Sequence, residues 1–314
     1  MKSFSKAELT LGNSANGQEI IVTGQGIKTP LVFKVIAALK QSDVSEVLHV
    51  TLDGKNLVLK RYLGRNPDNT VHSFMGQVAR LDPSMATGPL RINRCVYAFP
   101  GIGVVVLEFI PGENIGKILS GNDAELRSRM LLNCGLWLKK FGGDAYTLSR
   151  FSPQFWLKRL DRRKPDLAPK PVDRDLLDAL RQNLNQRAGK TAGIRAIKGP
   201  THDDFIPANL LFHNNILYGI DIQSETILPF AKATAQLLVL LQFKRPNSDT
   251  DLIYGVSRKD CQDILKSGVL PSSEYDTILP FFLGEQFYFR LQNAIEKKMP
   301  DPHIRQAVTR FLNS

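Results

Sequence analysis

Apolar residues fall into short runs in the first third of the chain and recur at helical spacing in the remainder. Residues 19–23 (Glu-Ile-Ile-Val-Thr) read as a strand, and residues 30–40 as a short amphipathic helix with Pro30 at its start. Two apolar runs, residues 46–52 and 56–62, flank Asp53-Gly54, which predicts a hairpin. A helix is expected over 70–81. Residues 104–110 (Val-Val-Val-Leu-Glu-Phe-Ile) lead into Pro111-Gly112 and read as a buried strand running into a turn. Further on, Asn122-Asp123 caps a helix over 124–141 that stops at Gly142-Gly143. Its apolar positions, Leu126, Met130, Leu131, Cys134, Leu138 and Phe141, line one face. More helices are expected over 151–160, 173–187, 231–243, 258–267, 272–297 and 302–312, with an exposed Pro- and Lys-rich loop over 164–172. The aromatic cluster Phe281, Phe282, Phe287, Tyr288 and Phe289 sits at helical spacing and reads as core rather than as a substrate cage.

A chain of 314 residues is long enough for two lobes, and its 43% hydrophobic content is that of a globular protein. No apolar run reaches membrane-helix length and no signal-peptide core follows Lys2 and Lys6, so a cytoplasmic protein is expected. Cys95, Cys134 and Cys261 are too widely spaced for a metal site and read as buried free thiols. The formal net charge is +11. That excess favours an anionic partner and argues against a polycationic substrate. Much of it lies in Lys139-Lys140, in Lys158-Arg159 with Arg162-Arg163-Lys164, and in Arg187, Lys190, Arg195 and Lys198, read as solvated helix faces and a loop. No aromatic residues interleave the last group, so no nucleic-acid surface is expected.

The most informative stretch is His202-Asp203-Asp204-Phe205-Ile206-Pro207-Ala208-Asn209, followed by Asp221. The spacing H-x-D-x-x-x-x-N, with a second Asp 12 residues after the Asn, is the order of a kinase catalytic loop and its metal-binding Asp. Phosphoryl transfer asks for a carboxylate at the attacking hydroxyl and oxygen ligands that hold Mg²⁺ against the phosphates. Pro207 rules out a regular helix there, Leu210-Leu211-Phe212 anchors Asn209, and residues 216–220 form a strand that delivers Asp221. Upstream, Lys60 follows Leu57-Val58-Leu59 on the second hairpin strand, where an inward Lys needs an anionic partner. Glu108, Phe109 and Ile110 close the strand that has the look of an inter-lobe hinge.

This order of hairpin Lys, hinge, catalytic loop and metal Asp resembles the aminoglycoside phosphotransferase and choline kinase-like family of small-molecule kinases, over roughly residues 40–312. The resemblance implies an α+β, bilobal protein-kinase-like fold. It has a small β-rich N-terminal lobe (1–107) and a larger, mostly helical C-terminal lobe (108–314). It also implies ATP and Mg²⁺ as cofactors and a small-molecule acceptor such as a sugar, amino-sugar or amino-alcohol. Asp204 would be the catalytic base, braced by His202. Asn209 and Asp221 would bind Mg²⁺, and Lys60 would bind phosphate. Ser42 and Ser45, in the loop over 41–45, would cover the phosphates, and the hinge backbone at Glu108, Phe109 and Ile110 would hold adenine.

The chain departs from that pattern in four places. The covering loop has no Gly, no Glu lies between Lys60 and Gly88, and Asp203 stands beside Asp204. The run from Pro229 to Gln236 lacks the further Asp that the family carries ahead of its apolar helix. These departures leave a nucleotide-binding pseudokinase as an alternative, and the basic charge leaves a protein or lipid kinase.

Overall fold

The computed structural model describes residues 1–14, 17–162, 170–222, 226–244, 251–298 and 302–314. Arg163, Lys164 and most of the 164–172 stretch lie outside the described residues. The chain divides into two compact units. One joins Met1–Gly112 to Leu211–Glu225, and the other joins Glu113–Leu210 to Thr226–Ser314.

The first unit is built on an 8-stranded sheet. From one edge its order is Lys2–Ser3, Cys95–Phe99, Val104–Glu108, Lys55–Tyr62, Ser45–Leu52, Leu31–Gln41, Gly17–Gly24 and Ala7–Ser14. The expected hairpin is there. Ser45–Leu52 pairs with Lys55–Tyr62 in register from Ser45↔Tyr62 to Leu52↔Lys55. Asp53 (φ 50°) and Gly54 (φ 74°) both take the left-handed conformation, as a tight two-residue hairpin turn requires. Alternation then sorts the side chains. Leu57 and Leu59 join Val50, Val104, Val106 and Phe33 in the core, and Lys60 points to the opposite face with Tyr62 two residues on.

The stretch expected as a helix over 30–40 is instead the strand Leu31–Gln41. It pairs with Gly17–Gly24 on one side and Ser45–Leu52 on the other. Val32, Val35 and Ile36 are β-branched, and only Phe33 is fully buried, so no helical stripe is satisfied. Two register shifts, between Val35 and Ala37 and between Ala38 and Lys40, accommodate the irregular apolar spacing that imitates a helix. The helix expected over 70–81 runs longer, from Pro67 to Met85. Asn66 caps it, and Val71, Phe74, Val78, Leu81 and Met85 form its buried stripe. A smaller sheet carries Leu210–His213, Ile216–Gly219 and Leu90–Ile92 as neighbours. Asn214 and Asn215 make its turn with φ of 48° and 60°.

The second unit is mostly helical. Asp123 caps Ala124–Gly142 by accepting the Leu126 N–H at 2.8 Å. The helices Pro171–Thr191, Phe230–Lys244 and Pro302–Leu312 pack against the long helix Ile278–Glu296. Phe281, Phe282 and Phe287 are fully buried there, as core residues. A 3-stranded antiparallel sheet in the order Thr147–Arg150, Arg195–Thr201, Thr226–Pro229 was not expected. Arg195 and Lys198, read as part of a solvated loop, lie on its central strand. That strand feeds directly into His202. Its position is secured by the fully buried Glu274, whose carboxyl accepts the Ile197 N–H at 2.7 Å. All three cysteines are buried and free. No helix among the described residues is long and apolar enough to cross a membrane.

Candidate active site

In the second unit the loop after Thr201 is held from below and from the side. His202 is 4% exposed, with its ring centroid 6.0 Å from those of both Trp137 and Phe141. Phe205 stacks on Trp137 at 5.8 Å. His202 and Phe205 thus fix the ends of a short segment whose intervening carboxylates are left toward the surface. Ile206 N–H donates to the Asp204 carbonyl, and Asn209 N–H to the Ile206 carbonyl, both at 3.0 Å. Pro207 opens the 3₁₀ turn Pro207–Asn209.

The Asp204 carboxylate is gripped at both oxygens by neutral amides. Asn209 Nδ2 donates to Oδ2 at 3.0 Å and to the Asp204 carbonyl at 2.9 Å. Gln236 Nε2, from the helix Phe230–Lys244, donates to Oδ1 at 3.1 Å. Neutral donors orient the carboxylate without cancelling its charge. The charge of Asp204 is felt by half-buried Arg290, whose pKa burial lowers and Asp204 raises. Asp203 points elsewhere: its Oδ1 lies 3.8 Å from Lys232 Nζ, on a side chain only 9% exposed.

In the first unit, Lys60 Nζ is ion-paired with Asp221, their side chains 11% and 22% exposed. The carboxylate that Lys60 needs is therefore supplied by Asp221 itself, where the sequence offers no Glu. Asp221 leaves the strand Ile216–Gly219 with φ 59°, a left-handed conformation that Asp tolerates better than most residues. Lys60 Nζ also stands 4.8 Å from the Tyr62 ring centroid. Burial, the Asp221 charge and Cys95 push the Tyr62 phenol pKa well up, so it stays protonated. These groups open on a cavity of about 550 Å³ lined by Lys40, Ser45, Lys60, Tyr62, Asn66 and Asp221, among others.

Ser42 and Ser45 are closed on each other. Ser42 N–H and Oγ donate to the Ser45 carbonyl at 3.0 and 3.1 Å, and Ser45 N–H donates to Ser42 Oγ at 3.2 Å. Ser45 lines the cavity; Ser42 braces the turn behind it. A serine-clasped turn thus takes the position where a Gly-rich loop was missed. At the other end of the sheet, the Glu108 N–H is committed to the Arg94 carbonyl at 2.9 Å. Its carboxylate accepts the Arg94 N–H at 3.0 Å. Phe109 and Ile110 follow beyond the strand's end, with the Phe109 ring stacked on His49 at 4.2 Å.

Asp221 and Asn209 offer hard oxygen donors of the kind Mg²⁺ takes. The Asn209 amide nitrogen is spent on Asp204, which leaves its carbonyl oxygen as the ligand end. Each of the two side chains, taken by itself, thus keeps an oxygen of the kind a divalent cation takes. Sequence reasoning missed Gln236, Lys232, Arg290 and Tyr62. Only Tyr62 had a legible signal, its two-residue spacing from Lys60 on one strand face.

The model of the phosphotransferase enzyme family matches residues 38–220, more than half of the chain. The chain belongs to that family and is a phosphotransferase. Solved structures with the same fold include an amicoumacin kinase in complex with AMP-PNP and Ca²⁺, at TM-score 0.58 and 14% identity over 90% of this chain and 86% of that one. They include the GDP complex of aminoglycoside 2'-phosphotransferase-IIIa, at TM-score 0.59 and 12% identity over 89% and 92%. A choline/ethanolamine kinase family protein from Mesorhizobium loti aligns at TM-score 0.54 and 13% identity over 92% and 88%. The fold is thus the α+β protein-kinase-like one. No curated protein sequence matches the chain.

Proposed function

We propose that the protein is a cytoplasmic kinase that moves the γ-phosphate of ATP, with Mg²⁺, to a hydroxyl of a small molecule. The observation that carries this is the amide grip on Asp204. A carboxylate held at both oxygens and left charged is a general base with its direction already fixed. Asp204 orients the acceptor hydroxyl and takes its proton as the oxygen attacks phosphorus. His202, packed between Trp137 and Phe141, braces the loop and does no chemistry. In the first unit Lys60 neutralises phosphate charge, and Ser45 and Tyr62 offer further donors in its cavity. Phe109 and Ile110 supply backbone groups for the base, with Glu108 bound into the sheet beside them. Asn209 and Asp221 would hold Mg²⁺, which when bound offsets charge on the phosphate oxygens.

Asp204→Asn keeps the shape and removes the base. Turnover with any accepted alcohol is expected to fall by about 10² to 10⁴, the range typical of general base catalysis, while Mg²⁺–ATP binding persists. Unchanged turnover would remove Asp204 from this role. Among the neighbours, the complexes with AMP-PNP and with GDP support a purine nucleoside triphosphate as donor. Lys60 and its cavity support one in this chain as well.

A further inference from the structure

The second unit holds a cavity of about 200 Å³ that none of the roles above uses. Its lining includes Arg159, Asp203, Lys232, Gln236, Arg290 and Asn293. Gln236 connects it to the active site, because its Nε2 donates to Asp204. Three cations therefore face one lining carboxylate, Asp203, and one neighbouring carboxylate, Asp204, which Arg290 feels.

The cations are poorly compensated. Lys232 is 7% exposed, and its carboxylate partner Asp203 stands off at 3.8 Å on a largely solvated side chain. Lys232 Nζ and Arg159 Cζ lie 6.0 and 5.7 Å from the ring centroid of the same buried indole, Trp156. Two like charges on one ring repel, and a buried ammonium whose one ion pair is long and partly solvated costs free energy. Gln236 Oε1 is buried without a hydrogen-bond partner among the described residues, which leaves an acceptor for the hydroxyl of a bound molecule.

We propose that this cavity binds an anionic group on the acceptor, a phosphate or carboxylate carried by a hydroxyl-bearing molecule. Lys232, Arg290 and Arg159 hold the anion, and Gln236 ties its position to Asp204. The acceptor class is therefore an acidic polyol or sugar, not a polyamine. This rests on reading the chain as a hydroxyl phosphotransferase.

The test follows thermal denaturation of the full chain against sodium phosphate, sodium acetate and choline chloride, at constant ionic strength made up with sodium chloride. The proteins are the wild type, Lys232→Met, Arg290→Gln and Lys60→Met. A saturable rise in Tm with phosphate or acetate is expected in the wild type. It should need about tenfold more anion in Lys232→Met or Arg290→Gln, and survive Lys60→Met. The two substitutions are independent, so either one that folds carries the test. A response to phosphate points to phosphomonoester acceptors, and one to acetate points to carboxylates. No rise with either anion overturns the proposal, as does a rise lost only in Lys60→Met or a larger rise with choline. A parallel titration with Mg²⁺–ATP reports on the kinase reading by itself. Its failure beside an intact anion response contradicts the kinase and not the anion site.

Discussion

Lys60 is a buried cation whose place in the sequence announces an anionic partner without saying which. The partner, Asp221, lies 161 residues away in the chain, so no local pattern could name it. Gln236 was equally invisible, since an amide on an apolar helix carries no motif. Glu274 has the opposite character: it is fully buried and outside every motif, yet it holds the strand that enters the His202–Asn209 loop. Burial pushes its carboxyl pKa up from 4.5 to about 7, against the opposing hydrogen bond from Ile197 N–H. Between those two values the folded protein keeps a proton that the unfolded chain has lost. Stability therefore falls as pH rises from 4.5 to about 7 and is level above that. Glu274→Gln can keep the acceptor oxygen while abolishing the ionisation. It is expected to remove this slope and to stabilise the protein at pH 8 by roughly 3 kcal/mol, read by denaturant unfolding across pH. A slope unchanged by the substitution would contradict the assignment.

At the scale of elements, the sequence was most legible where local chemistry is decisive. The Asp53-Gly54 turn, the Asp123 cap and the His202–Asn209 spacing each name their structure. The strand Leu31–Gln41 was misread because apolar residues at nearly every position satisfy both periods, and only its two neighbouring strands settle the choice. Arg195–Thr201 was missed because its charged residues mask a strand whose other side chains are largely buried. Helix packing in the second unit is close as well as charged. Arg127 on Ala124–Gly142 is ion-paired with Asp260 on Arg258–Leu265. Although burial opposes it, bonds from Lys266, Ser128 and Lys259 hold the Asp263 carboxyl down to about 2. Gly135 permits this approach: a Cβ there would collide with Ser267 Oγ and lie 2.6 Å from the Ile264 carbonyl oxygen. Gly135→Ala is expected to destabilise by about 1–3 kcal/mol despite the better helix propensity of Ala, read as a lowered Tm. A raised Tm would mean that the two helices are not so closely packed.

At the scale of the molecule, each unit carries its own set of candidate groups. The first carries Lys60, Asp221 and a cavity with cationic and hydroxyl donors; the second carries Asp204, Asn209 and the cationic cavity beside them. The family match, spanning residues 38–220, takes in Lys60, Asp204 and Asn209 and ends one residue before Asp221. The net charge of +11 gains a partial explanation, because Lys232, Arg290 and Arg159 converge on one cavity. The departures that favoured a pseudokinase also lose some of their weight, since Asp221 meets Lys60 and a serine clasp closes the Gly-free loop.

The most direct measurement is thermal stabilisation by ATP with and without Mg²⁺, on the wild type and on Asp221→Asn. A rise in Tm that needs Mg²⁺ in the wild type and is largely lost in Asp221→Asn is the predicted result. No nucleotide-dependent rise under any condition, or one indifferent to both Mg²⁺ and the substitution, would contradict the account.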